Sequence, residues 1–383
     1  MLVKPNYENG SIVNLMASIG ESLGVSSPYS PLDRNLLPEL DMADNILLIL
    51  FDGVGYNYLN QNRAKTLLGK HLKGKMTSVF PPSTGSAVSS FMTGLAPQQH
   101  AVTGWFVYLK EYGMMSRILP FTSTVDWNQI DSSIRDVIDT KSIFTNTNRD
   151  HFVVAGRQII GSKFTAHMAG KARRLGYTDM ESFFEINKKA VMSSPNGSYT
   201  YSYWPAYDEV SHMLGSRSKE AKDQLLEFDS ALQKFIEEIQ GTNTTIIVTS
   251  DHGFNDVKPE NMVHMADHPD LMDCLILPLG GDSRSAYCYV RPSKVNAFEK
   301  YVGKHLDYAC GTRSSKAMIE EEWFGKFEPN PKLSSRVGDY ILLAQDGHCF
   351  LNSFPGQEPL SFPGHHGGTS EDEMIVPFVR IDC

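Results

Sequence analysis

Two short stretches of the chain are apolar without a polar break, and both end abruptly in acidic loops. Residues 46–51 (ILLILF) stop at Asp52-Gly53, and residues 245–249 (TIIVT) stop at Ser250-Asp251-His252-Gly253. A strand covered on both faces has this pattern, whereas a strand with one wet face alternates. Between them, Ala221, Leu225, Phe228, Leu232, Phe235 and Ile239 recur at helical spacing, which predicts a long amphipathic helix over residues 219–239. Alternating strands and helices predict an α/β layered fold. Ligands bind beyond the carboxyl ends of the strands in open sheets of this kind, so the two acidic strand ends point to one shared site.

Two stretches depart from that plan. Residues from about 106 to 197 are mixed, with one helical pattern near 164–175, and are expected to form an insertion of helices and loops beside the site. Residues 285–351 read as strand (286–290), helix (294–306), short helices (317–323) and strand (340–344), a small α+β cap. The expected division is a catalytic core of residues 1–284 and 352–383, interrupted by the cap. No internal repeat or low-complexity tract is present.

Composition narrows the function. A chain of 383 residues, 41% hydrophobic and 21% charged, is globular and long enough for one large core with an added subdomain. A net charge of -9 provides no positive field for a polyanion, which argues against extended nucleic-acid binding but not against a small phosphate ester held by metals. Cys274, Cys288, Cys310, Cys349 and Cys383 form no CxxC pair, so neither a disulfide framework nor a thiolate zinc site is expected. The first residues lack the basic-then-apolar plan of a secretory signal, and no apolar run approaches the roughly 18 residues of a membrane helix. These features predict a soluble cytoplasmic protein with no membrane insertion; oligomeric state is not legible.

The candidate chemistry lies where strands or helices break into loops. Asp52, the pair Asp208 and His212, the pair Asp251 and His252, and the doublet His365-His366 supply carboxylate and imidazole from four segments. Such a mixture suits zinc or a similar first-row divalent ion, manganese and iron included, better than calcium or magnesium. Asp208 and His212 have the i, i+4 spacing that puts two ligands on one helix face. A lone Asp-Gly is commonly a strand-ending turn, and only the convergence of four segments points to metal. Pro81-Pro82-Ser83-Thr84-Gly85-Ser86-Ala87 adds hydroxyls at the start of a helix of small residues, where free backbone N–H groups favour a phosphate oxygen.

The order strand-Asp-Gly, hydroxyl-bearing helix start, Asp-x-x-x-His, Ser-Asp-His-Gly and final His-Gly resembles the alkaline phosphatase superfamily, and within it the nucleotide pyrophosphatase/phosphodiesterase family. The resemblance runs from about residue 45 to residue 379. It implies a three-layer α/β/α fold with a mostly parallel central sheet. It also implies two metals, one on Asp208, His212 and His366, the other on Asp52, Asp251, His252 and the oxygen of Thr84. His366 is chosen over His365 because it directly precedes Gly367, and Thr84 over Ser83 and Ser86 because Thr93-Gly94-Leu95 begins nine residues later. Thr84 would attack phosphorus, giving a phosphothreonine that water then hydrolyses.

The likeness weakens around the substrate. Trp105 stands where the family carries an assisting Asn, and Gly85 where it carries a base-stacking aromatic. Tyr203, five residues before Asp208, matches another base-stacking position, and Trp105, Trp204 and Tyr207 are further expected substrate contacts, with Phe106 and Tyr108 at the same mouth. The expected activity is hydrolysis of phosphodiesters or nucleotide pyrophosphates. Alternatives are a phosphonoacetate hydrolase, a phosphomonoesterase, or a non-catalytic phospho-ligand module, the last disfavoured by the intact ligand set. His264, Asp267 and His268 read as a surface loop, and the acidic runs 320–322 and 371–373 as solvated faces or helix starts.

Overall fold

A computed structural model describes residues 2–38, 40, 42–145, 147–352, 354 and 361–383. Its centre is a seven-stranded sheet, in spatial order Leu72–Thr77, Ile375–Asp382, Thr244–Thr249, Asn45–Phe51, Ser198–Trp204, Asp150–Gly156 and Arg173–Tyr177. The last five in that order run parallel, and Ile375–Asp382 runs against both of its neighbours.

The apolar run at 46–51 explains the layering. Side chains on a strand alternate between faces, so an unbroken apolar strand needs a cover on each. Ile46, Leu48 and Leu50 pack into one cluster with residues of the helices Ile12–Ser22 and Thr84–Thr93. Leu47, Ile49 and Phe51 pack into another with the helices Lys219–Glu238 and Met180–Met192. The result is a three-layer α/β/α sandwich. Among the described residues no helix is long and apolar enough to cross a membrane.

The insertion expected over 106–197 is organised differently. Asp150–Gly156 and Arg173–Tyr177 are strands of the central sheet, and Met180–Met192 is a helix packed on it. The helical pattern near 164–175 resolves into a short helix, Lys163–Met168, and the edge strand Arg173–Tyr177, which is largely solvent-facing and so shows no apolar alternation. The remainder, Phe106–Leu109, Met114–Arg117 and Thr122–Ser123, joins the cap. Gly281 pairs with Phe106, and a second seven-stranded sheet runs Cys310–Ser314, Tyr340–Ala344, Ser285–Cys288, Gly280–Asp282 and then those three strands. Strands of two to four residues carry too few positions for a period to register.

One buried ion pair ties this second sheet to the core. Arg284 and Glu373, both fully buried, meet in a two-pronged contact, Nε to Oε1 at 2.7 Å and Nη2 to Oε2 at 2.9 Å. Glu373 is therefore no member of a solvated acidic face; the helix Glu371–Met374 turns it inward while Glu371 stays exposed. Burial pushes its carboxyl up, but the Arg284 charge and hydrogen bonds from Arg284, Ser370 and Gly368 outweigh that and hold it below the ordinary value of 4.5. A depressed carboxylate contributes stability that is complete above its unfolded value and fades as the pH falls through the folded one. Urea unfolding midpoints should therefore drop on acidification below about pH 4.5, more steeply in the wild type than in Glu373→Gln; parallel curves would contradict the pairing. Glu373→Ala, which leaves the buried guanidinium with only the exposed Asp346 carboxylate at 3.8 Å, should cost about 3–5 kcal/mol.

Candidate metal and nucleophile centre

Three adjacent parallel strands each deliver one carboxylate. Asp52 directly follows Asn45–Phe51, Asp251 follows Thr244–Thr249, and Asp208 sits in the helix Ala206–Leu214 just after Ser198–Trp204. His252 lies at their centre. Its Nε2 is 3.4 Å from Asp52, 3.5 Å from Asp251, 3.9 Å from Asp208 and 3.2 Å from Thr84 Oγ1. His212 Nε2 is 3.5 Å from Asp208, one helical turn away. The His366 ring stacks on His252 at 3.7 Å and lies 5.1 Å from His212. The seven side chains named from the sequence thus form one connected group.

The doublet divides cleanly. His365 is turned away, with Nε2 at 2.8 Å from the Phe362 carbonyl and Nδ1 at 2.9 Å from Ser283 Oγ. His366 comes together with Asp208 and His252. The hydroxyls near the helix start divide too. Ser83 Oγ donates to Asp282 at 2.9 Å, Ser86 Oγ donates to the carbonyls of Pro81 and Ser83, and the Thr84 hydroxyl faces His252. Because Ser83 makes no side-chain bond back to its own helix, the first N–H groups are left for an external acceptor.

The electrostatics are unbalanced without a cation. Burial, followed by the neighbouring carboxylates of Asp208 and Asp251, raises Asp52 well above its ordinary value, and burial likewise raises Asp208. Asp52 Oδ1, Asp208 Oδ1, Asp251 Oδ2 and His366 Nδ1 are buried polar atoms with no hydrogen-bond partner. His212 and His252 each place Nδ1 against a backbone carbonyl, at 2.8 Å from Gly364 and 3.1 Å from Gly253. That fixes the tautomer whose bare Nε2 points at carboxylate oxygens. Lone pair against lone pair is unfavourable unless a second proton or a cation lies between them. Two ligand groups emerge, Asp208 with His252 and His366, and Asp52 with Asp251 and His252. Oxygen and nitrogen donors of this kind fit first-row divalent ions.

The expected substrate aromatics separate into two sets. Trp204 and Tyr207 are in the core. The Trp204 ring stacks on Tyr177 at 5.2 Å, and the Tyr207 hydroxyl donates to the Ser216 carbonyl at 2.9 Å beneath Phe51 and Tyr58. Strand alternation is the reason for Trp204: its neighbour Tyr203 faces the opposite layer. Phe106 packs against Phe354, and Tyr108 against Tyr289 of the cap. Tyr203 remains beside the centre, and Trp105 borders it through its backbone. The Tyr203 hydroxyl donates to Asp52 Oδ2, and Trp105, partly exposed, follows Gly104, whose carbonyl lies against Gly85. A Cβ on Gly85 would stand 2.5 Å from that carbonyl, so no ring fits at this position.

A family model for type I phosphodiesterase / nucleotide pyrophosphatase matches residues 46–369, from the first apolar strand to just beyond His366. The chain belongs to this family. A curated family relative, bis(5'-adenosyl)-triphosphatase ENPP4 of Pongo abelii, is 23% identical over 245 residues, 58% of this chain and 50% of the relative. The alignment thus spans half the length of that relative. Among solved structures, inactive murine ectonucleotide pyrophosphatase/phosphodiesterase 5 in complex with AMP matches with a TM-score of 0.67 and 16% identity, over 87% of each chain. Phosphonoacetate hydrolase from Sinorhizobium meliloti 1021 with phosphonoformate matches with a TM-score of 0.62 and 17% identity, over 88% of this chain and 90% of that one. At these identities the structures establish a shared fold.

Asp282, Arg284, Glu373 and the Tyr203–Asp52 contact were not legible in the sequence. Asp282 is fully buried beside Ser83, and burial lifts its carboxyl to about 7 against hydrogen bonds from Ser83 and the Trp105 N–H. An isolated Gly-Gly-Asp carries no pattern that marks it. The division of the aromatics is open to measurement. Trp204→Ala should cost about 3–5 kcal/mol of stability and leave the Michaelis constant of the folded enzyme unchanged. A raised constant with intact stability would return Trp204 to the substrate.

Proposed function

We propose that this family member hydrolyses phosphodiester or nucleotide pyrophosphate bonds, with Thr84 as nucleophile, a phosphothreonine intermediate and two divalent cations, zinc by ligand type. The observation that carries the reading is the position of Thr84: its hydroxyl is 3.2 Å from His252 Nε2, at an uncapped helix start and beside buried carboxylates with unpaired oxygens. Asp208, His212 and His366 would hold one cation, and Asp52, Asp251, His252 and Thr84 the other. When bound, such cations lower the pKa of a coordinated hydroxyl and draw charge from a phosphate.

The chain's own groups account for the rest. The N–H groups at the start of the Thr84 helix face a phosphoryl oxygen where negative charge grows. The Thr84 oxygen bonds to phosphorus as the ester oxygen leaves with the electron pair, and water then hydrolyses the phosphothreonine and restores Thr84. Tyr203, holding Asp52, keeps that carboxylate in place, and Trp105 lines the substrate side. Nucleotide substrates are favoured by two of the proteins it resembles, a bis(5'-adenosyl)-triphosphatase and a phosphodiesterase-family protein in complex with AMP. The barred position at Gly85 favours a second reading, a compact substrate without a base such as phosphonoacetate.

Hydrolysis of bis-p-nitrophenyl phosphate, p-nitrophenyl thymidine monophosphate, p-nitrophenyl phosphate and phosphonoacetate, with zinc and after chelation, separates these readings. The diesters should be cleaved fastest, and chelation should abolish turnover until zinc is returned. Activity on none of them would end the enzyme reading; a preference for the monoester or the phosphonate would replace the diesterase one. Thr84→Ala should abolish turnover with zinc content retained; full activity would move the nucleophile elsewhere.

A further inference from the structure

The cap sheet reaches the centre through one tight hairpin. Gly280–Asp282 pairs antiparallel with Ser285–Cys288, so that Asp282 lies opposite Ser285. All four residues from 282 to 285 direct their side chains into the catalytic core. Asp282 accepts from Ser83 Oγ at 2.9 Å, immediately before Thr84, and takes the Trp105 N–H as well. Ser283 Oγ meets His365 Nδ1 at 2.9 Å, and with His365 Nε2 against a carbonyl the hydroxyl is the donor. Ser285 Oγ donates to the Gly367 carbonyl at 2.5 Å. Arg284 acts through Glu373, which accepts from the Gly368 N–H at 2.7 Å. The residues on both sides of His366 are therefore gripped from the cap, and so is the residue before Thr84.

The fit is close enough to be specific. Gly367 has φ +96°, and a Cβ there would stand 2.6 Å from the Asp282 Cβ. The loop carrying His366 and the carboxylate holding Ser83 thus touch directly. Ordinary packing of a cap on a core needs no such convergence of polar groups. A chain of largely buried hydrogen bonds holds its members in one arrangement, because each bond lost strands a polar atom.

We infer that the 282–285 hairpin is a positioning element that fixes the nucleophile Thr84 relative to the ligand His366, making the cap a structural part of the metal centre. This rests on the metal-and-nucleophile reading above. Asp282, Ser283 and Ser285 are positioning residues: none meets the substrate, and each acts through a neighbour of a reacting or ligating group. Supporting contacts of this kind change metal affinity or activity about 10–100-fold when removed.

The test uses the full chain with zinc binding measured separately from turnover. Replacing both Ser283 and Ser285 by alanine should weaken binding of the looser zinc ion at least about 10-fold. Asp282→Ala should lower kcat on bis-p-nitrophenyl phosphate by about 10-fold or more with KM and zinc stoichiometry unchanged. Asp282→Asn, which keeps an acceptor for Ser83, should recover most of that kcat; a role confined to holding the fold together would instead lower stability and leave kcat per folded molecule intact. Should Asp282→Ala fail to fold, Ser83→Ala, which removes the donor side of the same contact, carries the kcat comparison, and each single serine variant carries the zinc comparison. Wild-type zinc affinity and kcat in the variants, alongside an inactive Thr84→Ala, would overturn the inference and leave the proposed function standing. A wild-type chain that neither binds zinc nor cleaves any of the esters would remove both.

Discussion

Three buried carboxylates converge at the ends of three adjacent strands, and the rest of the structure answers to that constraint. Asp52 and Asp251 are fully buried, Asp208 nearly so, and among the described residues the side-chain nitrogens within 4 Å of them belong to histidines rather than to a lysine or arginine. Like charges brought together in a low-dielectric interior are costly, and unpaired oxygens add to the cost. Two of the imidazoles are locked by backbone carbonyls with their bare nitrogens aimed inward, which worsens the balance unless cations complete it. The fold therefore holds a destabilised group of donors in place, and the stability for this comes from the two apolar layers on either side of the sheet.

The opposite choice is made where the cap meets the core. There the buried charge is compensated within the chain, Arg284 against Glu373, with backbone and serine donors meeting the remaining oxygens. A paired, fully bonded charge is rigid, whereas an uncompensated one attracts a ligand. The first arrangement includes His366, and the second bonds the backbone two residues beyond it, at Gly368.

The legible part of the fold was the part with periodicity. Residues 46–51 and 245–249 announced buried strands because both faces were apolar, and the 219–239 helix because its apolar positions recurred every turn. The residues that converge at the strand ends could be picked out because their types and order are unusual together. In the second sheet the strands Ser285–Cys288 and Tyr340–Ala344 fall where strands were expected, but the short strands between residues 106 and 123 did not register, and pairings such as Gly281 with Phe106 join distant segments. Glu373 was hidden in an acidic run that resembles a solvated helix start, and its partner Arg284 lies 89 residues away. Trp204 and Tyr203 differ by a single position, and only the strand's register against Asn45–Phe51 decides which faces Asp52 and which enters the core.

Anomalous diffraction from crystals grown with zinc tests the central claim most directly. Two peaks are expected, one within about 2.0–2.2 Å of donors from Asp208, His212 and His366, the other equally close to Asp52, Asp251, His252 and Thr84 Oγ1. A map with no peak among these seven residues, or with zinc bound elsewhere on the chain, would contradict it.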